Sequence, residues 1–359
     1  MPRAHNFCPG PCVLPESVLS ELSDEMLDFE GSGMSVIEMS HRSAEYDAIH
    51  TETVDLLRSL SGAPDDVHVL LVQGGASLQF GMIPANLLPA DGKAGYVMSG
   101  SWAKKAFADA SRMGTAYQAW TRGEGPTAMP EPGEVTVEDG SAYLHVTSNE
   151  TIEGVRMLTF DGYDVPLVAD MSSDYLARPI DWEHFDLVYG GVQKNLGPAG
   201  LAVVFVRDAV LDRVPDSVPS YLRYDFHAKS NSLGNTPPTF SVWAMGKVLR
   251  WIDANGGVSA MEQRAAARSG VIYDVIDGGD GFYRSPVDPA YRSHTNLVFR
   301  LPDEDLEKKF LVEAEAHNIK NLKGHRSVGG MRASVYAALP DEAVSTLADF
   351  MTAFADANG

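Results

Sequence analysis

The sequence predicts an α/β protein: a large domain with a mostly parallel sheet covered by helices on both faces, plus a smaller α+β C-terminal domain joined by the N-terminal arm. Three observations carry this. From Val67 onward, short apolar runs alternate with segments of helical period, as in a sheet whose strands are linked by helices. The glycines and polar residues of chemical interest fall at the carboxyl ends of those runs, where such sheets bind ligands. At 359 residues the chain has the length for two domains.

Residues 1–15 are rich in proline and glycine, with Cys8-Pro9-Gly10-Pro11 at their centre, and read as an extended arm. A helix is expected from Pro15-Glu16, with Val18, Leu19, Leu22, Met26 and Phe29 on one face, ended by Gly31-Ser32-Gly33. After a loop at Ser40-His41-Arg42-Ser43, a second helix points Ile49, Val54, Leu57 and Leu60 inward. Val67 to Val72 reads as a strand, Gly74-Gly75-Ala76-Ser77 as a tight turn, and Leu78 to Leu88 as a helix. Further strands are expected at 95–98, 142–146, 166–169, 187–189 and 201–206. Gly190 and Gly191 read as a sharp turn after one of them. Thr236-Pro237-Pro238 gives a cap and first-turn prolines to a long helix carrying Phe240, Trp243, Val248 and Ile252. Beyond Asn255-Gly256-Gly257 the order loosens into mixed helices and strands, with a strand at 296–301 and a closing helix over 341–355. The expected division is 16–257 for the large, cofactor-binding domain and 1–15 with 258–359 for the small one.

A formal net charge of −21 argues against nucleic acid or an anionic membrane as partner, because both would be repelled. It leaves room for an anionic small substrate if a few cations cluster. Cys8 and Cys12 suggest neither a disulfide framework nor a metal site, and read as two small reduced side chains. The histidines outside the motifs below show no metal-ligand spacing, so no metal is expected. With no export leader and no apolar run of membrane-spanning length, a cytoplasmic protein is expected.

Five features carry chemistry, and each has a bland reading when taken alone. Gly74-Gly75-Ala76-Ser77 between a strand and a helix makes a phosphate cradle, or simply a turn of small residues. Trp102 is a stacking platform for a flat ligand, or a core tryptophan. Thr151, after a strand, has a hydroxyl to offer a phenolic oxygen. Asp170, ending an apolar run, is a partner for a protonated pyridine nitrogen, or a helix cap. Lys194, in Gln193-Lys194-Asn195 between two buried strands, is a desolvated amine that attacks carbonyls, or a surface lysine on a turn. In this order the five match what pyridoxal 5′-phosphate requires.

The motifs around them extend the match along the whole chain. They comprise Asn6-Phe7 with Pro9-Gly10-Pro11, Ser40-His41-Arg42-Ser43, the run 73–80, Ser101-Trp102 and Asn149-Glu150-Thr151-Ile152-Glu153-Gly154. Ala169-Asp170-Met171-Ser172-Ser173, Gln193-Lys194-Asn195, Asn235-Thr236-Pro237-Pro238 and the run 324–334 complete them. On these residues the chain resembles the fold-type I, class V pyridoxal-phosphate-dependent aminotransferases, and within them the phosphoserine aminotransferase family. The resemblance implies that Lys194 forms the Schiff base, Asp170 pairs with the ring nitrogen, Thr151 contacts the ring hydroxyl and Trp102 stacks on the ring. It implies that Ala76, Ser77 and Gln193 hold the cofactor phosphate, joined by Asn235 and Thr236 from the other subunit of a homodimer. Some members carry a bulkier or more basic residue at 76–77, so here the cradle falls to backbone groups. Arg332 would grip the substrate α-carboxylate with its two-pronged guanidinium. His41, Arg42, His325 and Arg326 would receive a phosphate or the second carboxylate of glutamate. The implied reaction moves the amino group of L-glutamate to 3-phosphohydroxypyruvate in serine biosynthesis, with a side activity on 4-phosphohydroxy-threonine left open. Other class V enzymes, such as an alanine–glyoxylate transaminase or a cysteine desulfurase, are the nearest rivals, and the first would have little use for four phosphate-directed cations. A cysteine desulfurase would need a cysteine downstream of the lysine, and none follows Cys12. A non-catalytic protein keeping the fold would have no use for an intact Lys194 and Asp170.

Overall fold

The computed structural model describes residues 3–131 and 133–359; residues 1 and 2 of the expected arm lie outside the described residues. The chain opens with β1 (His5–Asn6) and α1 (Glu16–Asp24), then α2 (Ala44–Ser61), β2 (Val67–Gln73), α3 (Gly75–Leu87), β3 (Lys93–Met98), α4 (Ser101–Met113) and β4 (Thr115–Thr121). Next come β5 (Ser141–Thr147), a hairpin of β6 (Asn149–Glu150) and β7 (Val155–Arg156), β8 (Leu167–Asp170), β9 (Leu187–Gly191) and β10 (Leu201–Arg207). Short helices α5 (Asp208–Leu211) and α6 (Tyr224–Lys229) lead to α7 (Thr239–Ala254) and α8 (Gly257–Gly278). The chain closes with β11 (Asn296–Phe299), α9 (Glu304–Ala316), β12 (Ile319–Lys320), β13 (Met331–Ser334) and α10 (Asp341–Asn358).

Seven strands form one sheet in the order β2-β10-β9-β8-β5-β3-β4. Only β10 runs against its neighbours, β2 and β9; the other pairings are parallel. The carboxyl ends of β2, β3, β5, β8 and β9 therefore share one edge. The inner strands are largely apolar because both of their faces are covered. Val69, Leu71, Val188, Val203 and Phe205 pack on the face under α2 and α7, while Leu70, Val72, Tyr189, Val204 and Val206 pack on the face under α3 and α6. The period of two sends neighbours in one strand to opposite cores. A separate core joins Phe7 and Val13 of the arm to Phe299, Phe310, Leu347 and Phe354. The arm is tied there because β1 pairs in parallel with β12. Among the described residues no helix is long and apolar enough to cross a membrane.

Local chemistry explains the boundaries. At the start of α2, Ser43 accepts a hydrogen bond from Tyr46 N at 3.3 Å, and Gly62 ends the helix at φ 65°. Glu45 and Asp47 in its first turn suit the positive end of the helix dipole.

Four expectations change and one strand is added to the large sheet. The first helix stops at Asp24: the Phe29 amide donates to Met34 O, so Phe29 reaches the core from a loop, and Leu19 is exposed. Gly190 and Gly191 make no turn; both are strand residues of β9, paired with Val203 and Ala202. What requires glycine is space, since a Cβ at Gly190 would lie 2.6 Å from the Tyr175 ring. Thr236 does not cap the long helix, which starts at Thr239 after Pro238 with no side-chain cap. β4 lay outside the sequence reading; it is an edge strand whose aromatics, Tyr117 and Trp120, are only partly buried. The region after Gly257, expected to loosen, opens with the 22-residue α8. That helix serves two cores in turn: Val258 and Met261 join the large one, Ile272 and Ile276 the small one. Its apolar stripe changes face midway, which breaks the helical period in the sequence.

Candidate active site

A cleft of about 420 Å³ opens at the shared carboxyl edge of the sheet, between the two cores. Its floor is the turn after β9. Leu196 and Gly197 amides donate to Val192 O, which curls the chain and aims Lys194 inward. Three contacts lock the turn. Asn195 Nδ2 donates to Tyr175 O at 2.7 Å, Asn195 Oδ1 accepts from Ala337 N at 3.0 Å, and the Cys12 amide of the arm donates to Gln193 O at 3.0 Å. Lys194 is only 7% exposed. Burial lowers its pKa, against the pull of Asp170 and Glu150, and Nζ donates to Thr151 Oγ1 at 2.6 Å. A buried ammonium is costly, so this is an amine biased toward its free base.

Asp170 closes β8, paired with Thr147 and Tyr189 of the flanking strands. Its Oδ1 accepts from Ser172 N at 2.9 Å and Ser172 Oγ at 2.6 Å. Burial raises the carboxyl pKa, while Lys194 and Ser172 work against that rise. The same Ser172 hydroxyl accepts from Gly191 N at 3.0 Å, tying β8 to the lysine turn.

Two helices bring their amino ends to the cleft. At α3, Gly74 sits at φ 95° with no side-chain cap, so the amides of Gly75, Ala76 and Ser77 are open donors with a favourable dipole. At α4, Trp102 faces the cleft, with Lys194 Nζ 5.2 Å and Lys105 Nζ 3.9 Å from its ring centroid. The amides there are already taken. Glu150 accepts from Trp102 N at 3.0 Å and Ala103 N at 2.9 Å, and Glu153 accepts from Ser101 N at 2.9 Å. A phosphate is therefore left to α3.

The small lobe contributes cations. Arg332, on β13, is buried; its Nη1 donates to Thr151 O at 3.3 Å and its Nε has no partner. His325 also lines the cleft, its pKa lowered by partial burial and by Arg332 and Arg326.

The structure thus gathers Ala76, Ser77, Trp102, Thr151, Asp170, Gln193, Lys194, His325 and Arg332 around one space. It does not bring His41, Arg42, Asn235, Thr236 or Arg326 to the lining of that cleft. His41 and Arg42 lie in the loop before α2, and Thr236 O accepts from Gln73 Nε2 at 3.1 Å outside the cleft. Sequence reasoning singled out neither Glu150, Glu153, Ser172 and Asn195 nor the backbone of Pro9 and Gly10 as working parts. Ser172 had a signal, since a serine two residues after a strand-end aspartate suits a local hydrogen bond. The two glutamates had none, because their partners lie about fifty residues upstream.

The lining fits pyridoxal phosphate. It offers a dry amine for the aldehyde, a buried carboxylate for the ring nitrogen, an indole face, and a helix amino end for the phosphate. Trp102 Nε1, Gln193 Oε1 and Arg332 Nε are buried polar atoms without a partner within the chain, a cost that a polar ligand would remove.

Comparison with known proteins agrees with this chemistry. Residues 4–347 match the family model for class-V aminotransferases. The chain is 49% identical over 354 residues to a phosphoserine aminotransferase of Lysinibacillus sphaericus, covering 98% of each chain. It superposes on the phosphoserine aminotransferase of Bacillus circulans subsp. alkalophilus with a TM-score of 0.95 at 46% identity, covering 99% of each chain. It superposes on the pyridoxal-phosphate-bound enzyme of Trichomonas vaginalis with a TM-score of 0.93 at 36% identity, covering 98% of this chain and 100% of that one. On a family match across residues 4–347 and a likeness of nearly half its residues over its whole length, the chain belongs to the class-V aminotransferase family.

Proposed function

We propose that this chain is a pyridoxal-phosphate-dependent phosphoserine transaminase, moving the amino group of L-glutamate to 3-phosphohydroxypyruvate and releasing O-phospho-L-serine and 2-oxoglutarate for serine biosynthesis. The observation that carries it is the convergence of buried Lys194, Asp170 and Arg332 on one cleft, in a chain nearly half identical over its full length to enzymes of that name. When bound, pyridoxal phosphate supplies an aldehyde that receives the amino group and a ring that takes up the electron pair left at the substrate's α carbon.

The residues have separable tasks. Lys194 Nζ, its pKa lowered by burial, accepts the proton from the substrate α carbon and returns it on the reverse path. Asp170, with one oxygen fixed by Ser172, holds positive charge at the ring nitrogen. Thr151 Oγ1 accepts from Lys194 Nζ and would face the ring hydroxyl. Trp102, on the wall of the cleft, would cover the ring and exclude water. Ala76, Ser77 and Gln193 hold the cofactor phosphate, and Arg332 orients the α-carboxylate through its unpartnered edge.

His325 and Arg326, with His41 and Arg42, receive the phosphate of the keto acid or the side-chain carboxylate of glutamate. We place Asn235 and Thr236 at the cofactor phosphate of a second subunit, in a homodimer with shared sites. Their position outside their own cleft supports this, and the same holds for His41 and Arg42. The lobes are taken as 16–257 and 1–15 with 258–359; the packing of Phe7 and Val13 on Phe299 and Phe310 supports the joining of the arm to the small lobe, while Val258 and Met261 at the start of α8 still pack on the large core. A cytoplasmic location belongs to the same proposal and suits two unpaired cysteines.

The test is a transamination assay with L-glutamate and, in turn, 3-phosphohydroxypyruvate, pyruvate and glyoxylate. The phosphorylated acid is expected to exceed the others in kcat/KM by at least about a hundredfold, the ~3 kcal/mol of a charge-assisted anion contact. Equal rates with all three acids would overturn the substrate assignment and leave a less specific class-V transaminase.

A further inference from the structure

The β6–β7 hairpin links the lysine, the arginine and the amino end of α4. Thr151, in its turn, accepts from Lys194 Nζ through Oγ1 and from Arg332 Nη1 through its carbonyl. Asn149, on its first strand, donates to Asn296 Oδ1 at 2.9 Å, the start of β11 in the small lobe. Glu150 and Glu153 reach the other way, to the amino end of α4. Glu150 is fully buried. It accepts from Ser99 Oγ at 3.2 Å as well as from Trp102 N and Ala103 N, and Glu153 accepts from Ser101 Oγ at 2.7 Å as well as from Ser101 N. The approach is so close that a Cβ on Gly100 would lie 2.6 Å from both carboxylates.

From this geometry we propose that Glu150, seconded by Glu153, is a positioning residue that sets the Trp102 ring at a fixed depth relative to Lys194 and Arg332. The chain could have capped α4 with its own residue 100, as helices commonly do. Instead Gly100 carries no capping side chain, and the amide of Trp102 itself is bound by a carboxylate from the hairpin that also holds the lysine and the arginine. The indole is thus indexed to the two groups it must work with, and not merely to its own helix. Two carboxylates in so small a space are costly for helix capping alone. Burial and the neighbouring Glu153 push the Glu150 carboxyl up, to about 8. A serine at position 100 would cap at lower cost, which points to alignment as the gain.

This inference rests on the reading of the cleft as the pyridoxal-phosphate site, so the test separates the two. Apoenzyme is prepared as wild type, Glu150→Ala and Glu150→Gln, each also in a Trp102→Phe background. Acrylamide quenching of tryptophan emission and titration with pyridoxal phosphate are then measured. Glu150→Ala is expected to increase quenching, to lose that increase in the Trp102→Phe background, and to weaken cofactor binding about tenfold or more. Glu150→Gln, which keeps an acceptor oxygen, should restore most of both. If Glu150→Ala does not fold, Ser99→Ala and Glu153→Ala, which each remove a smaller part of the same network, are read in the same way. A lower melting temperature with wild-type quenching and wild-type cofactor affinity would mean a purely structural brace and overturn the proposal. Quenching changes that persist without Trp102 would overturn it too. If wild-type apoenzyme itself fails to bind pyridoxal phosphate, the cofactor reading falls, whatever the quenching shows.

Discussion

Lys194 and Asp170 are both driven towards their uncharged forms by burial, and each is held back chiefly by the other. Arg332 works on the lysine from the opposite side, favouring its free base. Arg332→Ala should therefore act twice. Loss of the carboxylate grip is expected to raise KM for glutamate about 10–100-fold, the scale of a charge-assisted hydrogen bond. Removal of the positive charge should also raise the Lys194 pKa, so the acid-side limb of the rate, where the amine must lose its proton to act as a base, should move to higher pH. Steady-state kinetics across pH checks both, and Arg332→Lys should recover the pH profile better than KM because it cannot form the two-pronged contact. Glu150 gives a different pH signature. Its neighbours are Glu153, Asp170 and Lys194, with the amides of α4 and the Ser99 hydroxyl as donors. Burial and Glu153 raise its folded-state pKa to about 8, above the ordinary 4.5, so the folded state favours the protonated form. Its contribution to stability is thus greatest in acid, falls as pH rises towards 8, and is level beyond. Glu150→Gln lacks that dependence. The difference in melting temperature, variant minus wild type, should grow between about pH 5 and about pH 8 and then stay constant; a flat difference would mean that Glu150 ionises normally.

Elements were legible in the sequence wherever one periodic face met one core. The buried strands are apolar runs with glycine or polar punctuation, and their order along the chain already suggested a parallel sheet. What misled was residue context set by distant packing. Gly190 and Gly191 follow an apolar run, as turn glycines do, and nothing in the sequence says that Tyr175 lies against one and Gln193 against the other. In α8 the apolar stripe shifts as the helix passes from one core to the next, so no single period describes it. The packing reading of Gly190 has a direct test. Gly190→Ala should destabilise the protein by about 1–3 kcal/mol, because the buried Tyr175 ring cannot withdraw. Gly270→Ala, at an open position inside α8, should stabilise it by about 0.5–1 kcal/mol through helix propensity. Urea midpoints at unchanged slope would show both, and a neutral Gly190→Ala would mean that the Tyr175 ring gives way and that space does not require glycine there.

At the scale of the whole molecule, the cleft of one chain is built without five of the residues expected to serve it. Arg326 lies beside His325 on the rim, but His41, Arg42, Asn235 and Thr236 are carried by the loops before α2 and α7. In the stretch between α1 and α2, Leu27 is 87% and Ile37 61% exposed, and Val36 O accepts from Thr239 Oγ1 at the start of α7. A second copy covering that region would remove apolar area from water and could bring the four residues to a neighbouring cleft by two-fold symmetry. If so, a site draws Lys194 from one chain and Arg42 from the other, and the two defects complement. Lys194→Ala and Arg42→Ala should each be nearly inactive alone. Mixed, and allowed to exchange subunits through dilute denaturant, they should regain about a quarter of wild-type activity, since half of the dimers are hybrids and each hybrid holds one intact site. Sites built from a single chain could not complement, and the mixture would stay as inactive as its parts. Ile37→Glu makes the same point by a physical route: a charge buried against the second copy should shift the mass measured in solution towards the single chain, with loss of activity recovered at high protein concentration.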